Sequence, residues 1–118
     1  MALNIIRIVI AVVTALFGLY SVIWPDRIEG FTGIKADSPR ATSEIRAVMG
    51  GVFVALALAP LVLRRMDALQ VLGLVYLVIA VVRLAAIYVD KAAMSSNWIS
   101  LASEIVMAVL LLVGWRRA

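Results

Sequence analysis

Long apolar stretches separated by short polar ones set the pattern of this chain. Nearly every position from Leu3 to Trp24 is apolar, and a polar connector follows from Asp26 to Asp37. A second apolar stretch ends at Arg64-Arg65, a third runs from Ala68 to Val89, and a fourth runs from Asn97 to Trp115 before Arg116-Arg117. Crossing a bilayer takes about 20 apolar residues per helix. The pattern therefore predicts one transmembrane domain over 1–118, with helices near 3–24, 39–64, 68–89 and 97–115. The fold class expected is all-α: an integral membrane four-helix bundle, antiparallel and up-down-up-down, with both termini on the same side.

Local signals sharpen the boundaries. Pro25 should stop the first helix, because proline has no N–H to donate. Ser38-Pro39 reads as an N-cap followed by proline in the first helical position, so the second helix should start before the membrane. Pro60 should bend its last turn. In the connector, Ile28, Phe31 and Ile34 recur every three residues, a spacing suited to lying against lipid headgroups. The first apolar stretch is longer than the core of a signal peptide and no small-residue cleavage site follows it, so it is expected to be retained.

Composition agrees. Of 118 residues, 65% are hydrophobic, where a soluble domain is nearer half. The mean hydropathy is +1.11. No cysteine and no histidine are present, which excludes thiol chemistry, imidazole metal ligands and Ser-His or Cys-His nucleophiles. The seven acidic residues are scattered, so no metal site is expected, and no cofactor. The net charge of +4 comes from basic residues lying mainly at helix ends, where topology and anionic lipid account for them. Nucleic acid is not an expected partner. Arg64, Arg65, Arg116 and Arg117 crowd the span ends on one face, which predicts cytoplasmic termini. Trp24, Tyr88 and Trp98 would anchor one interface and Trp115 the other.

The informative residues are the charged ones inside the apolar stretches. Near mid-membrane such a residue costs about 2.5–3.5 kcal/mol on insertion scales. Arg83 precedes Asp90 by seven residues, and Glu104 follows Asn97 by seven. At 1.5 Å rise per residue both lie about 10 Å below the same surface, on neighbouring helices. One reading is a buried ion pair that staples two helices; the other is a polar pocket, or a proton site centred on Glu104. Glu44 and Arg46 enter the membrane from the same side, and Gly50 and Gly51 reach a similar depth. Ala47, Gly51, Ala55 and Ala59 form a stripe of small residues suited to close helix packing, within one subunit or between two. Arg7 is expected to reach back to the inner surface.

The run Ser43 to Gly51 (Ser-Glu-Ile-Arg-Ala-Val-Met-Gly-Gly), then a lone membrane arginine, Arg83, and a lone membrane glutamate, Glu104, resembles the bacterial membrane family called domain of unknown function 4345. The resemblance covers nearly the whole chain and implies a four-helix membrane fold without an established reaction. Met49 departs from it, where members often carry an aromatic. The leading expectation is a non-enzymatic structural or accessory subunit, homo-oligomeric or part of a larger membrane complex. The alternative is a binder or carrier of a small lipophilic or anionic ligand, in an outer-half pocket lined by Arg46, Arg83 and Glu104.

Overall fold

The computed structural model describes residues 2–115; Arg116 and Arg117, used above for orientation, lie outside the described residues. The described chain is all-helical. Four helices are long and apolar enough to cross a membrane: α1 (Ala2–Ile23), α3 (Pro39–Leu63), α4 (Leu69–Val89) and α5 (Ser95–Leu112). A short α2 (Glu29–Thr32) lies in the first connector, and a single 3-10 turn (Met66–Ala68) leads into α4.

The helix ends have local causes. The Ser38 hydroxyl accepts the Ala41 N–H at 3.0 Å, with Pro39 beginning α3. Thus one of the unsatisfied donors at the N-terminus is capped as the sequence suggested. Gly33, at φ 76°, closes α2 by donating its N–H to the Glu29 carbonyl. Helix α5 stops at Leu112 rather than near 115, because Val113 turns extended and Gly114 adopts φ 74°. In the connector, Ile28 is fully buried whereas Phe31 and Ile34 are exposed. The three do not share one face; Phe31 lies edge-on to Phe17 at 5.8 Å and close to Tyr20 at 5.9 Å.

Helix α3 is continuous but not uniform. Between α-helical segments Pro39–Glu44 and Phe53–Leu63, residues Ile45–Val52 form a π-helix, in which hydrogen bonds link residues five apart. That spacing puts Ile45 and Gly50 on the same buried face. Gly50 meets Gly18 of α1 backbone to backbone: a Cβ built on Gly50 would lie 2.9 Å from the Gly18 carbonyl oxygen, and one on Gly18 would lie 2.8 Å from the Gly50 oxygen. No side chain larger than hydrogen fits there. The small stripe expected along α3 faces elsewhere. Ala47, Gly51 and Ala55 are exposed, and a Cβ on Gly51 would meet only its own helix, at 3.9 Å from the Arg46 oxygen.

The contacts between α1 and α3 climb one helix while descending the other: Gly18 meets Gly50 and Val54, and Val22 meets Gly50 and Arg46. Helices α4 and α5 pair similarly, with Gly73 against Leu111 and Leu112, and Arg83 against Glu104 and Asn97. Ile10, Leu69, Leu72, Tyr76, Ala108 and Leu111 form the buried core where α1, α4 and α5 meet. Large apolar side chains such as Leu61, Val62, Val81 and Ile99 stay exposed, as a lipid-facing surface requires.

Candidate functional site

Arg83 of α4 and Glu104 of α5 meet as a fork. Arg83 Nε donates to Glu104 Oε1 at 2.7 Å, and Nη2 donates to Oε2 at 2.8 Å. The planar guanidinium matches the two carboxylate oxygens, which makes this the stronger type of charged hydrogen bond. The Glu104 side chain is 11% exposed, while the Arg83 side chain keeps 31%. The remaining terminal nitrogen, Nη1, donates to Asn97 Oδ1 at 2.9 Å, and Asn97 Nδ2 donates to the Ala92 carbonyl at 2.9 Å. The ion pair is thereby tied to the turn joining the two helices. Asn97 is a member of the site that the reading of charges passed over. Its signal was its spacing: seven residues before Glu104, two helical turns, places it on the same face.

Glu44 and Arg46 do not join this cluster. Glu44 pairs with Arg40 at 3.3 Å, both well exposed, a geometry of little energetic weight. Arg46 Nη1 donates to the Val22 carbonyl at 2.7 Å. It therefore serves the C-terminal end of α1, where carbonyls lack helical partners and a cation complements the helix dipole.

The open cleft beside the pair has a volume of about 380 Å³ and is lined by Val78, Ile79, Val82, Arg83, Ala86 and Asn97. Neither Arg46 nor Glu104 stands on its wall, so the expected pocket of Arg46, Arg83 and Glu104 is not what the fold builds. Arg46, on α3, is held by the Val22 carbonyl of α1, and Glu104 lies behind the guanidinium.

Arg7 has a role that sequence reasoning missed. It is buried, at 4% exposure, against the end of α5. Its Nε donates to the Leu110 carbonyl at 2.9 Å, its Nη2 donates to the Val113 carbonyl, and its guanidinium lies 4.2 Å from the Trp115 ring centre. Trp115 Nε1 donates to the Leu111 carbonyl. Side chains thus occupy carbonyls at the end of α5 that the helix itself leaves without donors. Deeper in the core, Thr14 Oγ1 donates to the Ile10 carbonyl at 2.8 Å and lies 2.5 Å from Tyr76 Oη, which donates to it in turn. On the exposed α3–α4 connection, hydrogen bonds to Asp67 hold the Arg65 guanidinium above its ordinary pKa.

Chemically, this arrangement presents no free nucleophile or base. Both Glu104 oxygens accept from Arg83, and every buried side-chain nitrogen or oxygen among the described residues has a partner. Among the described residues no three His, Cys, Asp or Glu side chains converge as a metal site would require.

Four apolar helices and an intramembrane charge pair define a small multi-pass membrane protein. The chain belongs to the family described as Domain of unknown function (DUF4345), whose model matches residues 2–115. No curated protein and no solved structure matches it.

Proposed function

We propose that this protein is a non-enzymatic structural or accessory subunit of a bacterial inner membrane, an up-down-up-down bundle working as a homo-oligomer or within a larger membrane complex. The observation that carries this reading is the closure of the Arg83–Glu104 fork. Both oxygens of Glu104, the group a catalyst would hold ready, are taken by Arg83, and the buried side-chain nitrogens and oxygens among the described residues also have partners. A closed pair neutralises both charges and fixes α4 against α5, which is a packing role. The small exposed stripe of Ala47, Gly51 and Ala55 is compatible with a neighbouring helix, since small residues allow close approach in lipid.

The test is a double-mutant series in mild detergent, following thermal melting and, by native mass spectrometry, oligomer size. Arg83→Leu or Glu104→Leu alone leaves an unpaired charge and should destabilise by about 3–5 kcal/mol. The double change should recover much of that loss, because no lone charge remains. Equal stability of all four proteins would overturn the packing role. Additive losses would mean that each residue depends on a different partner.

A further inference from the structure

We infer that the cleft beside the Arg83–Glu104 pair holds one diacyl phospholipid, with an ester carbonyl oxygen accepting hydrogen bonds from Arg83 and an acyl chain lying along Val78, Val82 and Ala86. The inference rests on the closed pair described above and adds a ligand to it.

The argument begins with donors. Glu104 and Asn97 together take one N–H each from Nε, Nη1 and Nη2 of Arg83. One N–H on each terminal nitrogen is left over, because a guanidinium has two on each. Asn97 spends one amide N–H on the Ala92 carbonyl and keeps its second. The polar residues on the cleft wall are Arg83 and Asn97, and the rest of the wall is Val78, Ile79, Val82 and Ala86. The site therefore offers several N–H donors, with one lone pair of Asn97 Oδ1 beside them, against an apolar bed. Its occupant must bring an acceptor and an apolar body together, which is the chemistry of a lipid.

Depth selects which lipid acceptor. Arg83 is seven residues before Asp90, which follows the end of α4, and so lies about 10 Å below that surface. The headgroup layer is about 5–8 Å thick on each face of a bilayer. The phosphate thus lies above the guanidinium, and the glycerol esters, at the border with hydrocarbon, lie nearest to it. An arginine side chain can extend outward over the remaining distance. Hydrocarbon supplies no acceptor of its own, so donors left at that level draw one in. The cleft, at about 380 Å³, falls in the lower part of the range of ligand sites, about 300–1,000 Å³.

Because the contact is to an ester, it should depend on the carbonyl and not on the headgroup charge. The experiment reconstitutes the purified chain in phosphatidylcholine vesicles of either diester or diether linkage, with the same headgroup and chains. Native mass spectrometry then counts lipids retained per chain. The expected result is one retained diester lipid, with retention of the diether lipid weaker by about tenfold, as the loss of two modest hydrogen bonds implies. Ala86→Leu, which fills the cleft while keeping both members of the ion pair, should lower diester retention to the diether level while helicity and melting stay unchanged. Equal retention of the two lipids would overturn the ester contact, and full retention by the Ala86→Leu protein would overturn the cleft as its place. A third set of vesicles carries diether phosphatidylglycerol; stronger retention of that lipid than of diether phosphatidylcholine would also overturn the ester contact, in favour of headgroup binding. Failure of the ion pair itself would show in the melting series, which needs no lipid.

Discussion

At the scale of single residues, three arginines do different work with the same group. Arg83 neutralises a carboxylate, whereas Arg46 and Arg7 serve the ends of other helices. A guanidinium suits the second task because its fork reaches two carbonyls at once. For Arg7 these are Leu110, in the last turn of α5, and Val113, just past its end. Arg7→Leu should destabilise the protein by about 1–3 kcal/mol, the range for leaving buried polar groups unpartnered. Arg7→Lys keeps the charge but loses the fork, and should recover only part of this. Amide hydrogen exchange is the discriminating measurement: protection should fall first in the last turns of α5, not in α1 where the substitution sits. Unchanged exchange at Leu110–Val113 would mean that Arg7 is not holding that end. Its role was not legible in the sequence, because its partners lie 103 and 106 positions away and backbone carbonyls carry no sequence signature. Arg83 and Glu104 are different. Helix rise from a shared turn sets their depths, so their adjacency could be read from spacing alone. What they are for could not, since one spacing serves a staple and a ligand site equally.

At the scale of elements, the spans were readable because hydropathy is a property of local composition, and the start of α3 because Ser38-Pro39 carries its own capping chemistry. The π segment Ile45–Val52 was hidden. It is a choice between hydrogen-bond partners four or five residues apart, and glycine-rich apolar sequence permits both. That choice decides which glycine matters. Gly50→Ala would force a Cβ to within 2.9 Å of the Gly18 carbonyl, and overpacking of this kind costs about 1–3 kcal/mol. Gly51→Leu places its side chain outward from α3, where substitutions usually fall within about 0.5 kcal/mol. Denaturation followed by circular dichroism should therefore separate the two adjacent glycines. A Gly51→Leu protein that melts normally but shifts to a smaller oligomer would assign the exposed stripe to a neighbouring chain. If Gly51→Leu destabilised the fold as much as Gly50→Ala, the π register would be wrong.

At the scale of the molecule, the question is which way the bundle sits in its membrane. Arg7 of α1 touches the last turn of α5, so the start of the first span and the end of the last lie together. At that end are also Arg64 and Arg65, where α3 hands over to α4. This follows because Gly73, early in α4, packs against Leu111 and Leu112 near the end of α5. The opposite end gathers the α1–α3 connector and the turn from Asp90 to Met94. Basic residues close to span ends are retained on the cytoplasmic side; Arg27, Lys35, Arg40 and Lys91 lie toward the opposite end, but Arg64 and Arg65 sit directly at span ends, so the end holding them, and with it both termini, is expected to be cytoplasmic. The chain has no cysteine, so a single introduced thiol reports on one position without interference. A cysteine replacing Ser96 should react with a membrane-impermeant maleimide in intact cells, and one replacing Arg65 only after permeabilisation. A reporter fused at Ala118 should be active only in its cytoplasmic form. Labelling of position 65 in intact cells, with position 96 protected, would invert the bundle. The Arg83–Glu104 pair and its cleft would then lie in the cytoplasmic leaflet, and the ester contact would be made from that side.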